Sequence, residues 1–198
     1  MIWGYILCGL AACCALIYAI ITYRRKTHLA YVTGNMFLAA CMVNLTYMAR
    51  IWARTYFMAS LTTSVYFVCL DFLVLCIFYY IIEFTESRIV KPRFKRAVIL
   101  TICILGLNDA AILMVNVFHE INLRYQYHES SAYAIKYMFE AGPSFSLHLA
   151  FVYALVAVTF FILIRKTLIV PNIYRARYVN TLLALSVIGL LTIFYMAG

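Results

Sequence analysis

The sequence predicts an all-α integral membrane helical bundle with an extracellular β-hairpin between its fourth and fifth helices. Three observations carry this. The 198 residues are 67% hydrophobic and only 12% charged, against roughly 25% charged residues in an ordinary soluble domain. The apolar residues form long continuous runs, each long enough to cross a bilayer as a helix, and do not alternate in the short segments of a membrane barrel. One long stretch, His119 to Phe145, breaks that pattern.

The six runs are about 2–22, 31–53, 57–84, 97–118, 144–164 and 178–196, with the hairpin over 119–143. The first, Ile2–Thr22, is followed at once by Arg24, Arg25 and Lys26. A signal peptide places its basic residues first, so this run is read as an uncleaved helix. The second carries Asn35, Asn44 and Thr46. Asn44-Leu45-Thr46 fits a glycosylation sequon, but its mid-membrane place speaks against that use. A tight basic connection, Arg50 to Thr55, leads to the third run, which has Asp71 near its middle. Lys91-Pro92-Arg93 and Lys95-Arg96 precede the fourth, with Pro92 well placed just before a helix. The fourth carries Asn108-Asp109 at its middle and Asn116 near its end. Gly142-Pro143-Ser144 opens the fifth, where a proline in the first turn costs no hydrogen bond; His148 lies close to its start. The loop with Pro171 and Arg175 leads to the sixth run. No internal repeat and no soluble domain are visible, so 1–198 reads as a single membrane domain.

In the polar stretch, Ile121, Leu123, Tyr125 and Tyr127 alternate with Asn122, Arg124, Gln126 and His128. After His128-Glu129-Ser130-Ser131, the residues Tyr133, Ile135, Tyr137 and Phe139 alternate with Ala134, Lys136, Met138 and Glu140. Period-two alternation on both sides of a turn-prone break is the mark of a hairpin with one aromatic face. This hairpin is expected to be a lid on the bundle.

Lys and Arg set the orientation. The loops after runs one, three and five hold three, five and four of them; those after runs two and four hold two each. Basic loops stay cytoplasmic. The N-terminus and hairpin are therefore expected outside, with loops 23–30, 85–96 and 165–177 cytoplasmic in a multi-pass cell-membrane protein. The same loops account for the net charge of +9, so no nucleic-acid partner is expected and the lipid bilayer is the first partner. Seven cysteines, all within apolar runs and none in a CxxC pair, read as small buried hydrophobes.

Ionisable groups inside a bilayer are expensive and mark either function or internal hydrogen bonding. Asp71 and Asp109 both fall near mid-depth. Asp109, Asn116 and Glu120 share one face of the fourth helix, flanked by Asn108 and His119. With Asn44 and His148 they are expected to converge on a cavity open to the outside. Tyr125, Tyr127, Tyr133 and Tyr137 would cover it with an aromatic face suited to a small apolar or aromatic ligand. The competing account is inter-helix hydrogen bonding and ordinary packing. His119, His128, His148 and Glu120 lack a metal-site spacing, so no metal and no cofactor are expected. No catalytic residues, nucleotide loop or nucleophile motif is visible.

Several short motifs together resemble the N-terminal seven-transmembrane input region of bacterial histidine kinases and diguanylate cyclases. They are Val65-Tyr66-Phe67 with Asp71-Phe72, Glu83-Phe84-Thr85, Asn116 with Phe118-His119, Gly142-Pro143-Ser144-Phe145 with His148, and Pro171-Asn172-Ile173-Tyr174-Arg175. The resemblance covers almost the whole chain. It implies a two-component sensor that detects a small ligand, acts as a homodimer and drives a cytoplasmic output. Six runs are present of the seven it implies, so the seventh helix and the output are expected beyond this sequence. The rival is a small transporter or channel using Asp71 and Asp109 for proton or ion coupling; an assembly subunit is a third reading.

Overall fold

In the computed structural model, residues 2–85, 92–119, 123–127 and 137–197 are described, with side chains for 5–85, 96–119, 123–127 and 137–187. Six helices appear in order: α1 Ile2–Tyr23, α2 His28–Trp52, α3 Tyr56–Phe84, α4 Pro92–His119, α5 Phe145–Ile169 and α6 Asn172–Ala197. A hairpin of β1 Leu123–Tyr127 and β2 Tyr137–Ala141 lies between α4 and α5. Among the described residues five helices, α1 to α5, are long and apolar enough to cross a membrane.

Local chemistry explains the helix starts. The hydroxyl of Thr27 accepts the Ala30 N–H at the start of α2, and that of Thr55 accepts the Met58 N–H at the start of α3, each satisfying a donor the first turn leaves open. Pro92 is the first residue of α4, where a missing N–H costs nothing. At α5 the expected placement shifts. The helix starts at Phe145, and Pro143 sits in the turn before it, because the Phe145 N–H closes onto the Gly142 carbonyl. Helices α5 and α6 also run on past the apolar spans, so Arg165, Lys166, Arg175 and Arg177 are helical.

The centre of the bundle is α3. It packs against α2, α4, α5 and β1, while α1 rests on α2 and α6 on α5. The α1–α2 contact uses Ala12, Ala15 and Cys41; small residues let two helices approach closely where no hydrophobic drive separates protein from lipid. One face of α3 is buried along its length: Ser60, Ser64, Phe67, Asp71, Phe78 and Ile82, spaced three, four or seven apart and so nearly in line. At the end away from the hairpin, Phe78 and Ile82 meet Leu155, Ile162 and Leu163 of α5. At the hairpin end, Phe67 meets Leu113, Leu123 and Phe145.

The hairpin is antiparallel, with Leu123 opposite Ala141, Tyr125 opposite Phe139 and Tyr127 opposite Tyr137. The expected aromatic face exists, yet the hairpin is less a lid than a plug. Leu123 is fully buried among α3, α4 and α5, and Asn116 of α4 clamps it there. The Asn116 side chain accepts the Leu123 N–H at 2.9 Å and donates to its carbonyl at 3.2 Å. On the outer face Gln126 donates to Glu140 across the strands. The predicted break at 128–131, with Tyr133 and Ile135, lies outside the described residues.

Candidate functional site

Asp71, Asp109 and His148 come together in the middle of the molecule from three helices. The buried stripe of α3 carries Asp71, at 3% exposure. Asp109 faces it from α4, and His148 is delivered by the first turn of α5, which starts deep because the hairpin feeds into the bundle. One ligating atom from each lies within 4.8 Å of the other two. His148 Nδ1 and Asp109 Oδ2 form a 2.7 Å hydrogen bond; against a carboxylate, which only accepts, the imidazole would be the donor. Asp71 Oδ2 stands 3.7 Å from the same nitrogen, and neither Asp71 oxygen has a hydrogen-bond partner. Two carboxyls this close in a low-dielectric interior require a shared proton or a cation between them.

These three residues are of the types that ligate a divalent cation. Their spacing suits a proton better. Two donors on one tetrahedral ion sit roughly 3.3 Å apart for bonds of about 2.05 Å, and the His148–Asp109 separation is a hydrogen-bond distance instead. The ring of His148 is fixed between Phe145, stacked at 5.1 Å, and Phe67, edge-on at 5.5 Å. Phe67 in turn meets Phe139 of the hairpin at 5.5 Å. An aromatic plug thus separates the triad from the hairpin end.

A cavity of 480 Å³ opens on the other side of the triad, between α2, α3 and α4. Asp71 is its one acidic lining residue; Val68, Phe72, Leu75, Ile102 and Leu107 make most of its wall. Gly106 permits the close α3–α4 approach here, since a Cβ on it would stand 2.9 Å from Leu75 Cδ1. The sequence led us to expect the cavity beneath the hairpin. It lies in the opposite half, and Phe67, Leu123 and Phe145 fill the space between the triad and the strands.

The remaining expected site residues divide. Asn116 is buried but occupied by its two bonds to Leu123. Asn44 donates to the Ala40 carbonyl of its own helix, away from the triad. Asn108 and His119 are exposed; one residue from Asp109 turns a helix by about 100°, which carries Asn108 off the buried face. Tyr125 is turned inward, Tyr137 is half-buried, and Tyr127 is 53% exposed, beyond the edge of the bundle. Glu120 and Tyr133 lie outside the described residues. Sequence reading missed Arg50, treated as part of a basic connection but in fact buried within α2, and Ser60 and Ser64 on the stripe of Asp71. The serines had a visible signal, a seven- and eleven-residue offset from Asp71 along one helix.

The family model for the N-terminal 7TM region of histidine kinase matches residues 6–198. The chain belongs to that family. It is therefore a multi-pass membrane protein and a membrane sensor input region, with a role in signal transduction. No curated protein and no solved structure matches it. The triad joins α3, α4 and α5 through side chains alone.

Proposed function

We propose that the chain, acting as one sensor domain, detects a small ligand and converts its presence into a change in how α3, α4 and α5 pack. The ligand partitions into the membrane and occupies the cavity beside Asp71. The observation that carries this reading is Asp71 itself: a buried carboxyl with neither oxygen in a hydrogen bond, on the wall of a largely apolar cavity. A ligand offering a hydrogen-bond donor there would stabilise one charge arrangement of the triad over another. Only such a difference in affinity between two states lets a ligand shift an equilibrium. The change would pass to a histidine kinase or diguanylate cyclase output in the cytoplasm, in a homodimer. In this reading the hairpin end faces outside. Arg50 is helical and buried, leaving Arg54 as the basic residue of the α2–α3 connection, which sharpens the charge asymmetry behind that orientation.

In the protein with its native output, Asp109→Asn and His148→Ala are each expected to change the response to stimulus. Unchanged responses in both would remove the triad from the mechanism. A proton-coupled transporter is the second reading, favoured by the two neighbouring carboxyls. The plug of Phe67, Leu123 and Phe145 argues against a continuous path, and proton uptake by reconstituted vesicles tests it directly.

A further inference from the structure

Arg50 stands apart from the triad and is unexplained by it. It lies in the last turn of α2 and is 6% exposed. An arginine does not give up its proton in a protein, so this is a permanent charge removed from water, tolerable only when paired. Its Nε and Nη1 nevertheless have no hydrogen-bond partner, and no described carboxylate pairs with it. The rings of Phe139 at 5.0 Å and Tyr66 at 5.9 Å and the carbonyl end of α2 offset part of the charge. None of them takes up those N–H groups.

Three buried hydroxyls at the same end of the bundle are in the same condition. Ser60 and Ser64 are fully buried, and neither they nor the Tyr125 hydroxyl has a partner. A hydroxyl inside a helix usually returns to the carbonyl one turn back, as Thr62, Thr85 and Thr159 do here. Ser60 and Ser64 do not. They stand one turn apart on the same face of α3, with Tyr125 brought over them by β1. The Tyr125 hydroxyl lies within electrostatic reach of Thr63, Ser60, Arg50 and Ser64, although none is in good hydrogen-bond geometry. Burial pushes its phenol above the ordinary value, and the neighbouring hydroxyls and Arg50 pull the other way only in part, so it stays a neutral donor. Arg50, Ser60, Ser64 and Tyr125 thus present buried polar groups with no anionic group among the described residues to receive their protons.

We infer that Arg50, Ser60, Ser64 and Tyr125 bind the carboxylate of a small organic acid whose apolar part lies against Phe139 and Tyr66. A planar carboxylate matches the guanidinium fork. One cation suits one negative charge, and the rings favour an organic acid over an inorganic ion. The site is separate from the cavity beside Asp71 and goes beyond the sensing role proposed for the triad. It also touches that triad, since Phe139 packs on Phe67 and Phe67 on His148.

The test is thermal unfolding of the protein in zwitterionic nanodiscs with benzoate, with benzamide as its uncharged analogue and with inorganic phosphate. Benzoate is expected to raise Tm by a few degrees at saturation, and benzamide and phosphate to leave it unmoved. Arg50→Lys keeps the charge but loses the fork, and is expected to weaken the benzoate effect about tenfold or more. Arg50→Met is expected to abolish it while raising Tm in the absence of ligand, because an unpaired buried charge is gone. Should Arg50→Met fail to fold, the Ser60→Ala/Ser64→Ala double variant, which leaves the charge in place, is expected to weaken benzoate binding several-fold. No shift with benzoate, an equal shift with benzamide or phosphate, or an undiminished shift in Arg50→Lys and the serine double variant overturns the inference. A silent wild type combined with an altered output in Asp109→Asn would remove this site alone, while a benzoate shift with an unaltered output in both triad variants would remove only the sensing role of the triad.

Discussion

His148 makes one hydrogen bond, stacks on one ring and meets another edge-on. Each contact comes from a different element, so the imidazole reports the relative position of α4, α5 and α3 together. Asn116 is the structural counterpart. Its side chain replaces the sheet or helix partner that the Leu123 backbone lacks at a fully buried position. Asn116→Ala would orphan a buried N–H and a buried carbonyl, at a cost of about 1–3 kcal/mol. Unfolding in nanodiscs measures this; a loss no greater than that of the exposed Asn108→Ala would contradict the clamp. The two roles were not separable in the sequence. Asp71, Asp109, Asn116 and His148 all stood out as polar groups in apolar runs, but which of them pair across helices depends on helix stagger, and stagger leaves no local signature. Arg50 was hidden for another reason. A basic residue near the end of an apolar run looks like an interfacial anchor, and only the fold shows that strands close over it.

Among the elements, α3 organises the rest. Its buried stripe is polar at Ser60 and Ser64, aromatic at Phe67, acidic at Asp71 and apolar from Phe78 inward. Neighbouring elements follow that order: the hairpin lies by the polar part, the triad forms at Asp71 and α5 packs on Phe78 and Ile82. Phe67 is the joint between them, 1% exposed and in ring contact with Phe139, Phe145 and His148. Phe67→Ala is expected to cost about 3–5 kcal/mol, against well under half of that for Phe72→Ala, which lines the cavity and is 47% exposed. Equal losses would contradict the central place given to Phe67. The helices and the hairpin were legible because their periods are strong: long apolar runs, then period two on both sides of a polar break. The depth of the hairpin was not legible. Alternation says which face is apolar, and it says nothing about whether that face rests on a surface or is wedged into a core.

For the whole molecule, the two ends differ in kind. The hairpin end holds a plugged aromatic and hydroxyl-rich region around Arg50; the other half holds the open apolar cavity and most of the basic residues. The proposed orientation puts the hairpin outside. Arg124→Cys, on the exposed face of β1 in a cysteine-free background, is expected to react with an impermeant maleimide added to intact cells. Reaction only after the membrane is opened would reverse the orientation. Composition made the membrane class plain, and charge counting supplied an orientation to test. The location of the cavity could not be read, since its walls come from three helices, α2, α3 and α4, whose relative placement leaves no local signal.

In the proposed mechanism the charge arrangement of Asp71, Asp109 and His148 sets the packing of α4 and α5 about α3. The most direct measurement is the spin-label distance between Thr101→Cys on α4 and Leu168→Cys on α5, both exposed and near the ends remote from the hairpin. It would be compared between the wild-type triad and Asp109→Asn, which keeps the side chain's size and removes its charge. A shifted or newly two-component distance distribution, with the helical content unchanged, is the predicted result. Superimposable distributions from two equally folded proteins would contradict the claim.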